Sequence, residues 1–432
     1  MLIMERIMIN KLNEYINKSV NIKGWIHRVR KLKSITFLIL RDRTGLVQCV
    51  LENNLIDANS LKLESVVSID GEVRESKNNL NPFEISVESI NIINSCKEEL
   101  PIEINQNNLE VNLDTMLNNR GLSLRHEKIN SIFKIQNLIV EGFKEFLRKE
   151  DFTEIFTPKL VAQGAEGGSD VFEVKYFENK AYLAQSPQFY KQMMVGAGFE
   201  RVFEVGHVYR AEQHDTNRHL NEYISMDLEM GFIENEEELM DLEENLLKYI
   251  LNKVAKEGEK YLKLINANIP KINGKIPRMK LSEAINILEK NYNKKGLDGD
   301  LDPEGEKLIC KYAKENLCCE FIFLTHYPRK KRPMYTMPCG EHETHSFDLL
   351  FRGIEITTGG QRIHDYDMLI KNMEYKNLNP NNYESYTETF KYGMPAHGGL
   401  AIGLERITAK LLDLENVREA TLITRDRHRL LP

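Results

Sequence analysis

Residues 201–232 read RVFEVGHVYRAEQHDTNRHLNEYISMDLEMGF, and the way this stretch folds decides much of the rest. RVFEVGHVYRAE and EYISMDLEMGF both read as strands, divided by a polar loop that carries His214, Asp215 and Arg218. Two strand-like runs around such a loop make a β-hairpin. Arg210 and Glu212 fall where the first strand ends, and Arg218, His219 and Leu220 lead into the return strand. An arginine suits phosphate because its planar fork is bidentate and always charged. A surface hairpin laced by ion pairs would need the same residue types, so the hairpin alone leaves both readings open.

Two further constellations lie downstream. In Arg352–Gly–Ile–Glu355–Ile–Thr–Thr358–Gly–Gly–Gln–Arg362, two glycines stand beside a carboxylate, a hydroxyl and an arginine. The glycines let backbone approach a ligand closely, and Glu355 with Thr358 offers oxygens to a hard cation. A bulged strand with a solvated ion pair is the plainer alternative. In Gly398–Gly–Leu–Ala–Ile–Gly403–Leu404–Glu405–Arg406, a strand meets a glycine and a helix start, with Arg406 in the first turn. That turn matches neither the P-loop nor the dinucleotide pattern.

Upstream, Ile132, Ile135, Ile139, Phe143 and Phe146 recur at helical spacing and predict an amphipathic helix. DFTEIFTPKL then reads as a strand with Pro158 near its end, a position incompatible with a sheet interior. An acidic helix is expected from Glu236 to about Val254. Residues 255–330 are polar and Lys-rich with weak signals, which reads as an insertion or a helical excursion.

Residues 19–95 hold five short strand candidates: SVNIKGWIHRV, ITFLILRDR, LVQCVLE, VVSIDGEVRE and PFEISVESINII. Gly45, Asn53–Asn54, Gly71 and the NNLNP turn separate them. This pattern predicts a small closed barrel, first of all an OB-fold. The fold class is therefore α+β. A five-stranded barrel over 1–100 and a hinge over 101–125 precede a large domain over 126–432, an antiparallel sheet flanked by helices.

Composition bounds the function. The chain has 432 residues, too many for one small core, with 41% hydrophobic and 28% charged residues, so it reads as an ordinary globular protein. No apolar run is long enough for a membrane span, and the N-terminal stretch lacks a cleavage site, so a cytoplasmic protein without membrane contact is expected. The six cysteines form no framework and read as reduced thiols. Net charge is −7, but residues 1–50 hold ten Lys/Arg against three acids, a net of +7, leaving −14 for the remainder. A basic end on an acidic chain fits one domain that meets phosphates, although a solvated charged face would look the same.

Taken together, the Arg210 hairpin, the Glu355 strand and the Arg406 turn resemble motifs 2 and 3 of class II aminoacyl-tRNA synthetases and the strand between them. The helix with Pro158 resembles motif 1. The resemblance runs through nearly the whole chain and is closest to aspartyl-tRNA synthetases of the archaeal/eukaryotic type, with an N-terminal OB-fold and an end near LLP. It implies activation of L-aspartate by ATP with Mg2+ and transfer to tRNA(Asp). Ala184–Gln185–Ser186–Pro187–Gln188–Phe189–Tyr190–Lys191–Gln192 resembles the aspartate-specific segment. By resemblance Lys191 and Arg362 clamp the substrate β-carboxylate, Ser186, Gln188 and Asp227 meet its ammonium, and Glu166 belongs to a mobile loop over it. Arg210 and Thr358 complete that set.

On the nucleotide side the resemblance implies Arg210, Glu212, Arg218, His219, Leu220, Glu355, Gly403, Leu404, Glu405 and Arg406, with Glu355 and Thr358 as Mg2+ ligands and Arg210, Glu355 and Arg406 as the catalytic set. On the barrel, His27, Arg30, Phe37 and Gln48 match anticodon-reading positions. Phe37 lies inside the apolar run ITFLIL, so a place in the barrel core competes with that reading. Strict archaeal relatives tend to carry Trp at the position of His27 and relaxed ones His, which implies charging of tRNA(Asn) too, with a hand-off to a tRNA-dependent amidotransferase. A homodimer follows from motif 1.

Rival readings are an asparaginyl-tRNA synthetase, against which Lys191 speaks, a paralogue that makes asparagine, and an RNA-binding paralogue without charging activity. Two departures stand out. His326 occupies a place where the family pattern has an acid. Cys339, His342, Glu343 and His345 in CGEHETH are zinc-like residue types. Such matches usually arise without a metal, and family members carry a variable acidic loop there, so no metal is expected.

Overall fold

The computed structural model describes residues 5–57, 60–78, 80–164, 170–213 and 216–431. The chain divides into two compact units, Met1–Val111 and Asn112–Pro432.

The first unit is a closed barrel. Its strands are β1 (Ser19–Lys31), β2 (Ile35–Arg41), β3 (Leu46–Glu52), β4 (Val66–Glu75) and β5 (Phe83–Asn94), in the order β1-β2-β3-β5-β4. Period-2 alternation sends Leu38, Leu40, Val47, Cys49 and Leu51 inward. A 3-10 helix, Ile9–Tyr15, adds Ile9 and Leu12 to that core. Asp42 anchors the helix by accepting from the Ile9 amide at 2.9 Å.

The second unit is built on an eight-stranded sheet. In chain order its strands are β6 (Thr153–Glu154), β10 (Arg201–Tyr209), β11 (Glu222–Gly231), β12 (Arg278–Lys280), β13 (Phe321–Thr325), β16 (Ser346–Phe351), β17 (Ile354–Arg362) and β18 (His397–Gly403). In space they run β12-β13-β16-β17-β18-β11-β10-β6, antiparallel except at the two edges. A small sheet of β7 (Leu160–Val161), β8 (Glu173–Tyr176) and β9 (Asn179–Leu183) and a hairpin of β14 (Pro338–Cys339) and β15 (Glu343–Thr344) complete the strands. Helices Glu127–Lys149 and Glu237–Glu257 share one core with the sheet. Ile135, Ile139, Phe143, Leu246, Leu247 and Ile250 pack with Met226, Leu228, Leu349, Leu400 and Ile402. Alternation leaves Ser225, Asp227 and Glu229 of β11, and Gly399, Ala401 and Gly403 of β18, off that core side.

Three expectations need correction. Residues 112–125, read as hinge, are two short helices, Leu113–Asn118 and Arg120–Ser123, capped by Asn112. Arg120 is buried there and donates to the carbonyls of Thr421 and Leu422 at 2.6 and 2.9 Å. Helices this short show no period in sequence. Of DFTEIFTPKL, only Thr153–Glu154 joins the large sheet, and Pro158, with no N–H to donate, lies in the break before β7. The polar stretch 255–330 is no excursion. It carries helices Glu259–Ile265, Leu281–Tyr292 and Pro303–Asn316, and its apolar run FIFLT is β13, fully buried between β12 and β16.

Glu243 is the odd residue of the core. It is fully buried, and neither carboxyl oxygen has a hydrogen-bond partner among the described residues. Burial pushes its carboxyl up to about 8, with Thr357 opposing and Asp348 adding to the rise. The native chain keeps a proton that the unfolded chain releases near 4.5. Stability therefore falls as pH rises between those two values and levels off above the upper one. Glu243→Gln should flatten that slope. Urea unfolding should show no change near the lower value and a gain of about 5 kcal/mol above the upper one.

Candidate active site

The side of β11, β17 and β18 turned away from the helix core is lined with chemistry. Asp348, Thr358, Ala401 and Asp227 stand directly opposite one another across β16, β17, β18 and β11, and Gly360, Gly399 and Glu229 form the next row. A Cβ on Gly399 would lie 2.2 Å from Glu229 Oε2, so only glycine leaves room for that carboxylate. Glu229 is fully buried, and burial pushes its carboxyl up, but Arg362 and Lys191 beside it win and hold it below the usual range.

Lys191 comes from the helix Gln188–Met194. Its Nζ is buried and donates to Asp227 Oδ1 at 2.9 Å and to the carbonyls of Leu228 and Leu400 at 3.3 Å, and it lies 3.3 Å from Glu229 Oε2. Arg362, the last residue of β17, donates to Glu229 Oε1 at 3.0 Å, the Gly399 carbonyl at 2.9 Å and Gln188 Oε1 at 3.4 Å. Ser225 Oγ donates to Asp227 Oδ2 at 2.6 Å. Gln188, Lys191, Ser225, Asp227 and Arg362 floor a cavity of about 510 Å3 that Ser186, Arg210, Arg332, Tyr335, Glu355 and Thr358 also line. Its size suits a small ligand. Glu166 lies outside the described residues.

A second cavity adjoins, lined by Arg210, Glu212, Arg218, His219, Leu220, Gly403, Glu405 and Arg406. Arg210, Tyr223, Ser225, Glu355, Thr358 and Ala401 border both. Asn221 pins the Arg210 backbone at both ends, its carbonyl accepting from the Arg210 amide and its Nδ2 donating to the Arg210 carbonyl at 2.7 Å. The Arg210 guanidinium lies 3.7 Å from Glu212 and over the Tyr223 ring. Thr358 Oγ1 donates to Glu355 Oε1 at 2.9 Å, and Arg406 Nη1 to the Glu355 carbonyl at 3.1 Å. Burial pushes the Glu355 carboxyl up, but Arg406, Arg332, Thr358 and Arg210 hold it below the usual range. Glu355 and Thr358 thus present hard oxygens side by side, a donor set that fits Mg2+.

Several of the assigned residues also have structural partners. Leu404 faces the hydrophobic core, so only its backbone is available to a ligand. The Glu405 carboxyl accepts from the Ile224 amide at 3.1 Å, which holds the helix Leu404–Leu411 against β11. Arg218 is tied to Glu306 at 2.6 Å. Sequence reading passed over Glu306, which arrives from the stretch taken as an excursion. It passed over Glu229 as well, although Asp227–Leu–Glu229 has the spacing of one strand face. Asp348, Arg332 and Tyr327 form a third unforeseen group, with Arg332 at 2.7 Å from Asp348 and its guanidinium over the Tyr327 ring. Burial, and the nearby Glu355 carboxylate, push the Asp348 carboxyl up against the pull of Arg332.

On the barrel, β2 alternates so that Ile35, Phe37 and Ile39 are half-buried while Thr36, Leu38 and Leu40 are buried. Phe37 therefore lies off the barrel core. Arg30 is its cross-strand partner, and Gln48 stands opposite Ile39 on the same face, donating to Glu84 at 2.7 Å. His27 sits at a bulge in β1 and is only 7% exposed, with its Nδ1 at 3.2 Å from Arg41 Nη1. Arg41 in turn pairs with Glu64 at 2.7 Å. His27 is thus largely covered and engaged with Arg41.

Comparison with known proteins agrees with this geometry. Residues 112–427 match the family described as tRNA synthetases class II (D, K and N), and residues 20–93 match the OB-fold nucleic acid binding domain. An aspartate–tRNA(Asp/Asn) ligase of Deinococcus radiodurans is 46% identical, covering 99% of both chains. An aspartate–tRNA(Asp) ligase of Pyrococcus abyssi is 41% identical over 98% of both. Among solved structures, asparaginyl-tRNA synthetase of Pyrococcus horikoshii complexed with asparaginyl-adenylate superposes with a TM-score of 0.92 over the whole of both chains, at 28% identity. Barrel, sheet and paired cavities thus make this chain a member of the class II aminoacyl-tRNA synthetases, in the aspartate–tRNA ligase family.

Proposed function

We propose that the chain activates L-aspartate with ATP and transfers it to tRNA(Asp) and tRNA(Asn). One observation carries the choice of amino acid: the buried floor of the larger cavity. Lys191 and Arg362 face that cavity, which among the described residues is lined by seven basic side chains against the two carboxylates of Asp227 and Glu355. That excess of positive charge suits aspartate, which carries one net negative charge, better than neutral asparagine. The identity to aspartate–tRNA ligases supports the same choice.

In the reading we favour, aspartate lies with its side-chain carboxylate toward Lys191 and Arg362 and its ammonium toward Asp227, Ser186 and Gln188. ATP lies in the adjoining cavity. An oxygen of the substrate α-carboxylate attacks the α-phosphorus in line, the bond to the bridging oxygen of pyrophosphate breaks, and a mixed anhydride forms. Arg210, at the junction, meets the charge that develops on the α-phosphate. Glu355 and Thr358, with Asp348 behind them, would hold Mg2+, which supplies charge neutralisation on the phosphates. Arg406, His219 and Arg218 hold the triphosphate tail, and Glu306 keeps Arg218 aimed. A terminal ribose hydroxyl of tRNA then attacks the anhydride carbonyl and AMP leaves. Positioning and electrostatics suffice, with no covalent intermediate on the enzyme.

ATP–pyrophosphate exchange with aspartate and asparagine in parallel tests the amino acid, and exchange with asparagine alone would overturn the reading. Charging of pure tRNA(Asp) and tRNA(Asn) transcripts tests the tRNA range. The relaxed range rests on His27, acting through the shape of the β1 bulge, and charging of tRNA(Asp) alone discards it. Charging of tRNA(Asn) with aspartate would require an amidating reaction to consume the product. Phe37, Arg30 and Gln48 form the base-binding face. Phe37→Ala should raise the KM for tRNA about tenfold, from about 1.4 kcal/mol of lost stacking, and leave pyrophosphate exchange unchanged. The reading includes a homodimer through the motif 1 region, where Phe156 is 85% exposed, and sedimentation equilibrium tests it.

A further inference from the structure

We propose that His326, Cys339 and Glu343 bind a zinc-class divalent ion, a site separate from the catalytic cavities and independent of the ligase reading. Their ligand atoms all lie within 4.8 Å of one another, and all three residues are half-buried. Cys339 and Glu343 are direct cross-strand partners in the β14–β15 hairpin, which turns at Gly340 with φ +66°. Pro328 bridges to Glu343, and the Arg329 amide donates to the His342 carbonyl at 2.7 Å, so the hairpin lies on the segment that follows His326. His326 itself is held in the left-handed region, φ +61°, with its amide on the Ser346 carbonyl. Non-glycine residues in that region mark positions that the surroundings over-determine.

The second coordination layer is in place as well. His326 Nδ1 lies 2.9 Å from Thr325 Oγ1, an orienting contact that leaves Nε2 as the ligand atom. The other two histidines of the neighbourhood are accounted for differently. His342 is 92% exposed beside Glu341, and His345 is engaged by Glu236 at 2.9 Å. One thiolate, one imidazole and one carboxylate suit zinc and not magnesium. Ligand atoms around zinc stand about 3.5 Å apart, so the trio must close by about 1 Å, which side-chain rotation supplies. Lys280 Nζ, 4.0 Å from Glu343 and well exposed, is displaced without a buried contact being lost. Water completes the tetrahedron. The ion would brace β17 near the substrate clamp, because the Met337 amide donates to the Gln361 carbonyl, the Gln361 amide to the His345 carbonyl, and Thr336 bridges to Arg362.

The test uses the full chain stripped of metal by a chelator. Titration with Zn2+ against a chromophoric indicator should give one site per chain, and Co2+ should give a thiolate-to-metal charge-transfer band. Cys339→Ser and His326→Ala should lose both. Cys318→Ser and His342→Ala should keep both, and Glu343→Gln should bind at least tenfold more weakly. Zn2+ should also protect Cys339 from alkylation in the unmodified chain, read by mass spectrometry, which decides the matter even where a variant fails to fold. A chain that binds no Co2+ through sulfur, a band that survives Cys339→Ser, or a site lost with Cys318 or His342 overturns the proposal.

Discussion

Lys191→Met should lower kcat/KM for aspartate in pyrophosphate exchange by about a thousandfold. The Lys191 ammonium has four oxygen neighbours and almost no water. On the proposed reading, removing it takes away the cation that faces the substrate carboxylate, and it leaves Asp227 without its buried cation and Glu229 with Arg362 alone. Truncating one member of a buried charge pair costs about 2–5 kcal/mol, and a thousandfold corresponds to about 4 kcal/mol. The same change should cost about 3–5 kcal/mol of folding stability, so urea unfolding must accompany the kinetics and rates must be taken per folded molecule. Retention of aspartate activity within tenfold, in folded enzyme, would remove Lys191 from the substrate site.

Arg210→Gln should act differently. Arg210 borders both cavities at their junction, its side chain 40% exposed and held beside Glu212 and the Tyr223 ring. An arginine there meets charge that is greatest in the transition state. The loss should therefore appear in kcat, by about a thousandfold, with KM for aspartate and ATP moved no more than about threefold. Single-turnover formation of the adenylate gives the cleaner number, because it excludes product release. A loss confined to KM would recast Arg210 as a residue of ground-state binding.

The contrast between what could and could not be read in advance is physical. The barrel strands and the Arg210 hairpin announce themselves through turn residues and strand formers. Phe37 was ambiguous because a run with five apolar residues in six hides which alternate face is buried, and only the register of β2 decides it. Glu306 and β13 went unread because they come from a polar stretch whose importance is entirely long-range. Leu404 and Glu405 were assigned by their place in a motif, but a helix start turns successive residues to different sides, and these two serve the core and the β11 backbone. His326 stood out as a departure whose effect the sequence left open, because Cys339 and Glu343 lie 13 and 17 positions on, brought near by a hairpin too short to show a period.

The alternation along β11 and β18 also separates two kinds of change. Met226, Leu228, Leu400 and Ile402 hold the helices, while Asp227, Glu229, Gly399 and Ala401 face away from that core. Changes in the second set therefore act on the pocket and its buried charges, while changes in the first act on the packing of the helices against the sheet.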